Sequence, residues 1–191
     1  MTVFMYSMHM NINLSTLFTD RLILRKLTVN DANDMFEYAK DPELAGMGLW
    51  LPFKDMEECV KDLAQNVADY EDGKLISWAM ELRDNGKMIG RCGLVDQSFF
   101  HSRADISYAM NRNYWGEGLM SEAMKEVVRY SFETLELNRL GAGVLPENIA
   151  SIRILEKLGF KYEGTRRELT KVRGKFDDVN LYSLLRKEYM S

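Results

Sequence analysis

The chain is poor in the residues that build metal centres and disulfide frameworks. Among its 191 residues it has two cysteines, Cys59 and Cys92, and two histidines, His9 and His101. Two thiols exclude a disulfide scaffold and a four-cysteine zinc site, and two imidazoles exclude a multi-histidine metal centre. Three prolines and 13 glycines exclude collagen-like and Pro-rich disordered character. No lysine or arginine precedes Arg21, so the basic start of a secretory signal is missing. No run approaches the roughly 20 apolar residues of a membrane-spanning helix. Basic charge is scarce as well. The formal net charge is -4 and the pI about 5.4. That argues against a nucleic-acid partner and favours a cationic guest. By default the expected location is the cytoplasm, with no membrane and no metal.

What is present suits one folded domain. Hydrophobic residues make up 46% of the chain, enough to fill a core at this length. Residues 1–15, Met-rich at the start, read as a loose leader, and 16–191 as a single domain. Alternation predicts strands over 21–25, 75–82, 88–95, 103–110 and 139–145, and a final pair over 160–168 and 179–185. Helical spacing predicts helices over 28–40, 54–70, 119–135 and 148–158. Asp41-Pro42 reads as the stop of the first helix. Met56, Val60, Leu63, Ala64 and Val67 read as the inner stripe of the second. Trp50-Leu51-Pro52-Phe53 reads as a loop with two exposed aromatics. Asn85-Gly86 is a hairpin signal. Strand-helix-strand in the middle implies a parallel pair, and the hairpins imply antiparallel neighbours. The expected fold is therefore α/β (α+β): a mixed sheet of about six to seven strands with helices on its faces.

The most informative stretch is Asn113-Tyr114-Trp115-Gly116-Glu117-Gly118-Leu119-Met120-Ser121, between a strand and an amphipathic helix. Glycines there allow a tight turn and close approach of a ligand, and the free N–H groups of the helix start favour a phosphate. A Walker loop needs Gly-Lys-Ser/Thr, and Leu119 and Met120 stand there instead. A dinucleotide fingerprint needs Gly or Ala where Ser121 stands. Two readings stay open on these residues alone: an anion seat, and a plain strand-to-helix turn.

The loop is not alone. The stretch from Asn113 to Ala123 resembles the acetyl-CoA loop of the GNAT N-acetyltransferases, most closely those of RimJ/RimL type, which acetylate ribosomal-protein N-termini. Thr19-Asp-Arg-Leu-Ile-Leu-Arg25, Leu135-Glu-Leu-Asn-Arg139 and Pro146-Glu-Asn148-Ile-Ala-Ser151 through Gly159-Phe160 resemble that type in the same order. The resemblance runs from Thr19 to about Tyr189. It implies a GNAT fold with two splayed central parallel strands. Tyr108, Ala109 and Met110 would pair with the pantetheine arm of acetyl-CoA, and the main chain from Tyr114 to Leu119 would seat the pyrophosphate. The implied cofactor set is completed by Asn113, Met120, Ser121, Asn148 and Ser151. Asn113 stands where the family usually has Gln or Arg; the seat is mostly main chain, so binding is expected to survive.

By the same resemblance the reaction is direct attack of an amine on the thioester, with no enzyme nucleophile. Ser151 is the implied helper of the leaving thiolate, and Asn148 both caps a helix and meets the cofactor. Each also reads as an ordinary helix-start residue. The general base is Asp105, where the family commonly has Glu, acting through a water, or Glu168, or neither of them. Arg153 and Lys157 read as cofactor-phosphate contacts or as a solvated helix face. Arg166, Arg167, Lys171, Arg173 and Lys175 read as a basic exposed loop, Trp50 and Phe53 as acceptor-site walls or core. The expected acceptor is a protein or peptide N-terminal amine. A small-molecule amine (amino acid, polyamine, antibiotic or toxin) and a non-catalytic acyl-CoA-binding module are the alternatives. A homodimer is a family-level expectation from the final strands.

Overall fold

The computed structural model describes residues 14–48, 50–172 and 174–191. Most of the expected leader, with His9, lies outside the described residues. Leu14 is buried in the core, and the Ser15 carbonyl accepts a 2.8 Å hydrogen bond from Trp78 Nε1, so these two residues are part of the folded unit.

Eight strands form one sheet. They are β1 (Leu17–Phe18), β2 (Leu22–Arg25), β3 (Ile76–Leu82), β4 (Met88–Ser98), β5 (Arg103–Met110), β6 (Arg139–Val144), β7 (Lys161–Val172) and β8 (Lys175–Leu185), in the order β1-β2-β3-β4-β5-β6-β8-β7. Only β5 and β6 run parallel. The mixed sheet agrees with expectation. The two-residue β1 is the extra strand, too short to leave an alternation in the sequence.

The helices are α1 (Ala32–Ala39), α2 (Pro42–Met47), α3 (Met56–Glu71), α4 (Leu119–Arg129), α5 (Ile149–Lys157) and α6 (Arg186–Tyr189). Their starts follow from capping chemistry. Asp55 accepts from the Glu58 amide at 2.9 Å, and Asn148 accepts from the Ser151 amide at 3.1 Å. Asp41-Pro42 does not simply end α1. Asp41 caps α2, accepting from the Glu43 amide at 2.9 Å, and Pro42 takes the first helical position, where its missing N–H costs nothing. The inner stripe of α3 is also rotated from expectation. Cys59, Leu63, Asn66 and Tyr70 are buried, whereas Val60 and Ala64 face out. Tyr70 decides this: its hydroxyl donates to the Ser77 carbonyl at 2.6 Å and accepts from the Leu27 amide at 3.1 Å.

On α4, Leu119, Met120, Ala123, Met124, Val127 and Val128 are all buried, and the chain widens to π-helix over Tyr130–Thr134 to bury Phe132. The basic run is sheet rather than loop: Arg166, Arg167 and Lys171 lie on β7 and Lys175 opens β8. Arg173 lies outside the described residues. Trp50 and Phe53 are half-buried and packed on the core, not exposed. Both cysteines are buried and unpaired, with their thiols pushed up by burial, Cys59 to about 11 and Cys92 to about 12.

Candidate active site

The sheet opens at its centre. β5 and β6 pair only at Arg103↔Arg139, Ala104↔Leu140 and Asp105↔Gly141. Beyond that point β5 keeps its outer partner β4 as far as Gly90↔Met110, and β6 keeps β8 as far as Val144↔Asn180. Their inner edges therefore diverge with no strand partner, from Ile106 to Met110 on one side and Ala142 to Val144 on the other. Unpaired main-chain groups at such an edge are ready to bond an amide-bearing ligand.

A cleft of about 370 Å³ runs along this opening. Tyr108, Ala109 and Met110 line one wall, Asn148, Ser151 and Arg153 another, and Gly116, Gly118, Met120 and Ser121 close one end. Gly116 and Gly118 sit at φ 82° and 80°, the left-handed region that favours glycine. A Cβ on Gly116 would meet nothing within 4 Å, and one on Gly118 only Arg21 Nη2 at 3.7 Å. The bend is an open cradle over the start of α4, where free amide N–H groups and the helix dipole favour an anion.

A clamp from across the chain braces this cradle. Arg21 donates through Nη1 to the Glu117 carbonyl at 3.0 Å and through Nε to Glu122 Oε2 at 2.7 Å. Glu122 Oε1 also accepts from the Thr19 hydroxyl and the Arg21 amide. Burial opposes ionisation of Glu122, but these donors win and hold its carboxyl below the ordinary range.

At the head of the opening, Tyr108 Oη and Ser151 Oγ share a 2.6 Å hydrogen bond that bridges β5 to α5. Burial pushes the Tyr108 phenol up to about 12, against the pull of the Ser151 bond. Asn148 holds the start of α5 and donates through Nδ2 to the Met47 carbonyl at 3.3 Å, tying it to α2. Two proton-carrying hydroxyls thus meet beside an open main-chain edge and the Gly116–Gly118 bend.

Residues 21–161 match the acetyltransferase (GNAT) domain family. The chain is a GNAT acetyltransferase. It is 37% identical over 179 residues to the uncharacterized N-acetyltransferase p20 of Bacillus licheniformis, covering 92% of this chain and 99% of that one. It is 26% identical over 187 residues to the [ribosomal protein uS5]-alanine N-acetyltransferase of Escherichia coli, covering 94% and 95%. Among solved structures, a GNAT-family acetyltransferase from Bacillus anthracis superposes with a TM-score of 0.82 at 23% identity, covering 91% of this chain and all of that one.

GNAT acetyltransferases use acetyl-CoA, and the empty space over Gly116 and the unpaired β5 edge fit it. Of the residues expected at the site, Tyr108, Ala109, Met110, Trp115, Gly116, Gly118, Met120, Ser121, Asn148 and Ser151 all line the cleft. Asn113 is exposed and lines a separate polar hollow with Arg112 and Asp41. Tyr114 packs half-buried on the core, Glu117 is exposed, and Leu119 is buried beneath the cradle.

The two candidate bases stand apart from the cleft. Asp105 lies at the closed end of the fork, over Gly141, where an added Cβ would meet its Oδ1 at 2.2 Å. Burial and Asp96 push its carboxyl up, against Arg103, Arg139 and Arg166. Glu168 is exposed at a bulge in β7, with its amide donating to Asp178 at 2.8 Å.

Arg153 does reach the cleft wall. The sequence reading missed α2, which contributes Leu44 and Met47, and the close stacking of Trp50 on Gly48. The Asp-Pro pair was the available signal for α2, as a cap followed by a first-position proline.

Proposed function

We propose that this acetyltransferase acts on the N-terminal α-amine of a peptide or protein, with Ser151 and Tyr108 managing the proton at the leaving sulfur. Acetyl-CoA supplies an activated acyl group as its thioester. The main chain of Ile106 to Met110 holds the pantetheine arm, and the Gly116–Gly118 bend holds the diphosphate. Tyr108 keeps its proton at neutral pH, because burial favours the neutral phenol. Either hydroxyl can donate in this bond; with Tyr108 as the donor, the Ser151 proton is free to face the sulfur. An α-amine titrates near 7.7–8.0, roughly, so a useful fraction is neutral at physiological pH without a strong base. That suits a site whose two candidate bases lie outside the cleft. The relative named for uS5 alanine acetylation supports the same acceptor class.

The observation that carries this reading is the 2.6 Å Tyr108–Ser151 bond at the mouth of the fork. The test is thiol release from acetyl-CoA with a panel of peptides, amino acids and polyamines. Peptides are expected to turn over fastest; faster turnover of a polyamine contradicts the acceptor assignment. Ser151→Ala is expected to lower kcat about 100-fold, the scale of a lost general acid, with little change in acetyl-CoA binding. Unchanged turnover removes Ser151 from the chemistry, and binding without any turnover leaves an acyl-CoA-binding module.

A further inference from the structure

A second cleft, of about 280 Å³, lies on the other side of β5. Opposite residues of the β4–β5 ladder share a face, so Arg91↔Ala109 and Gly93↔Ser107 face the α1 and α3 side, whereas Tyr108 faces α5. Arg91, Ser107 and Ala109 line the second cleft with Tyr38, Asp62 and Phe53. The two clefts meet: Gly48, Trp50, Tyr108 and Ala109 border both. A molecule seated in the second cleft therefore approaches the Tyr108–Ser151 pair from the face opposite the cradle.

Its polar lining sets Arg91 and the Tyr38 hydroxyl beside Asp62. Arg91 makes one side-chain contact among the described residues, Nη1 to Asp62 Oδ2 at 3.3 Å. A guanidinium carries five N–H donors, and the Asp62 bond uses one of them. Asp62 has a second partner of its own, Asn66 Nδ2 at 2.8 Å on the same oxygen. The Tyr38 hydroxyl is buried with no hydrogen-bond partner, in the field of Arg91 and Asp62. A buried polar group without a partner is costly and marks a place that a ligand atom can satisfy.

We infer that the second cleft reads a carboxylate on the acceptor: a peptide with Asp or Glu in its first two residues, held by the free edge of Arg91 beside the Tyr38 hydroxyl. This rests on the peptide acceptor proposed above. A planar guanidinium that keeps one edge on Asp62 can offer the other to a second carboxylate. A polyamine carries no acceptor for the guanidinium of Arg91, whereas a carboxylate does.

The experiment compares peptides that differ only by Asp against Asn, or Glu against Gln, at the first two positions. With wild-type enzyme kcat/KM is expected to favour the acid by about 10-fold or more, the scale of a charge-assisted hydrogen bond. In Arg91→Gln the acid-to-amide ratio is expected to fall to about one, and in Tyr38→Phe to fall by two- to fivefold; CoA titration by calorimetry confirms that each variant is folded. A wild-type ratio near one, or a ratio that persists in Arg91→Gln, overturns the inference while leaving peptide acetylation standing. If no peptide is turned over, the peptide reading fails, and calorimetry of the acidic peptide on CoA-loaded enzyme decides the cleft. Binding weakened at least 10-fold by Arg91→Gln upholds it, and no binding overturns it.

Discussion

Strand β5 has two unlike edges. Toward β4 it is laddered along its length, from Ser98↔Arg103 to Gly90↔Met110; toward β6 it is joined at three residues and then let go. The glycines on the two sides differ in the same way. On the closed side, a Cβ at Gly90 would meet the Ala109 carbonyl at 2.4 Å and the Met110 Cα at 2.9 Å. At the mouth of the open side, a Cβ at Gly116 would meet nothing, and glycine is favoured there by its φ of 82°. One edge therefore carries stability and the other is left to carry binding. A single strand separates the two because a sheet edge deprived of its partner keeps its hydrogen-bonding capacity for a ligand.

Substitutions on the two edges should fail in different assays. Gly90→Val is expected to have the largest effect, a loss of about 3 kcal/mol that lowers the melting midpoint by about 6–12 °C. Thermal denaturation reads this directly, and an unchanged midpoint contradicts the tight seam. Gly116→Val forces a β-branched residue toward a left-handed backbone, at about 1–2 kcal/mol. The bend can relieve that strain by leaving its seat, so the expected result is an acetyl-CoA KM raised about 10- to 30-fold with the melting midpoint nearly unmoved.

Tyr108→Phe keeps the ring and removes the hydroxyl, and should lower kcat about 10-fold. The pH profile sharpens this. Because the folded-state pKa of Tyr108 is raised to about 12, the phenol stays protonated across the working range. The wild-type rate should rise as the acceptor amine deprotonates, roughly around pH 7.7–8.0, and should not fall through Tyr108 near pH 10. A fall centred there contradicts the buried, proton-holding phenol.

The smallest effect belongs beyond the fork, where Arg139 and Glu163 pair across β8 at 2.9 Å. Arg139 and then Ser183 hold the Glu163 carboxyl down to about 2. A depressed carboxylate contributes stability above its unfolded pKa, near 4.3 or so, and loses it as pH falls toward 2. The pair is largely exposed, so Glu163→Gln is expected to cost less than about 1 kcal/mol at pH 7 and progressively less as pH falls through the folded-state pKa.

Much of this was legible before any coordinates. The buried face of α4, the Asn85-Gly86 turn, the parallel pair and the cradle glycines all follow from local rules: periodicity, turn chemistry and the geometry of a crossover. The places of Asn148 and Ser151 at the start of α5 were also legible in sequence, through the capping pattern and a family resemblance. What escaped depends on residues far apart in the chain. The brace from Arg21 to Glu117 and Glu122 joins the bend before β2 to the glycine loop and the first turn of α4, some hundred residues later, and no local pattern announces it. The stripe of α3 was misplaced because Val60 looks buried by hydropathy, while Tyr70 and Asn66 are buried by their hydrogen bonds. Asp105 falls in the motif that the resemblance marks and sits where the strands are still joined, at Asp105↔Gly141, a pairing limit that no local pattern announces.

The most direct test of the two-edged strand is backbone hydrogen exchange along β4 and β5 with and without CoA. The account predicts that CoA slows exchange at amides between Ile106 and Met110 that point into the fork, and at Gly116 to Leu119, while β4 amides already laddered to β5 barely change. Saturating CoA that leaves the fork amides exchanging at their free rate contradicts it.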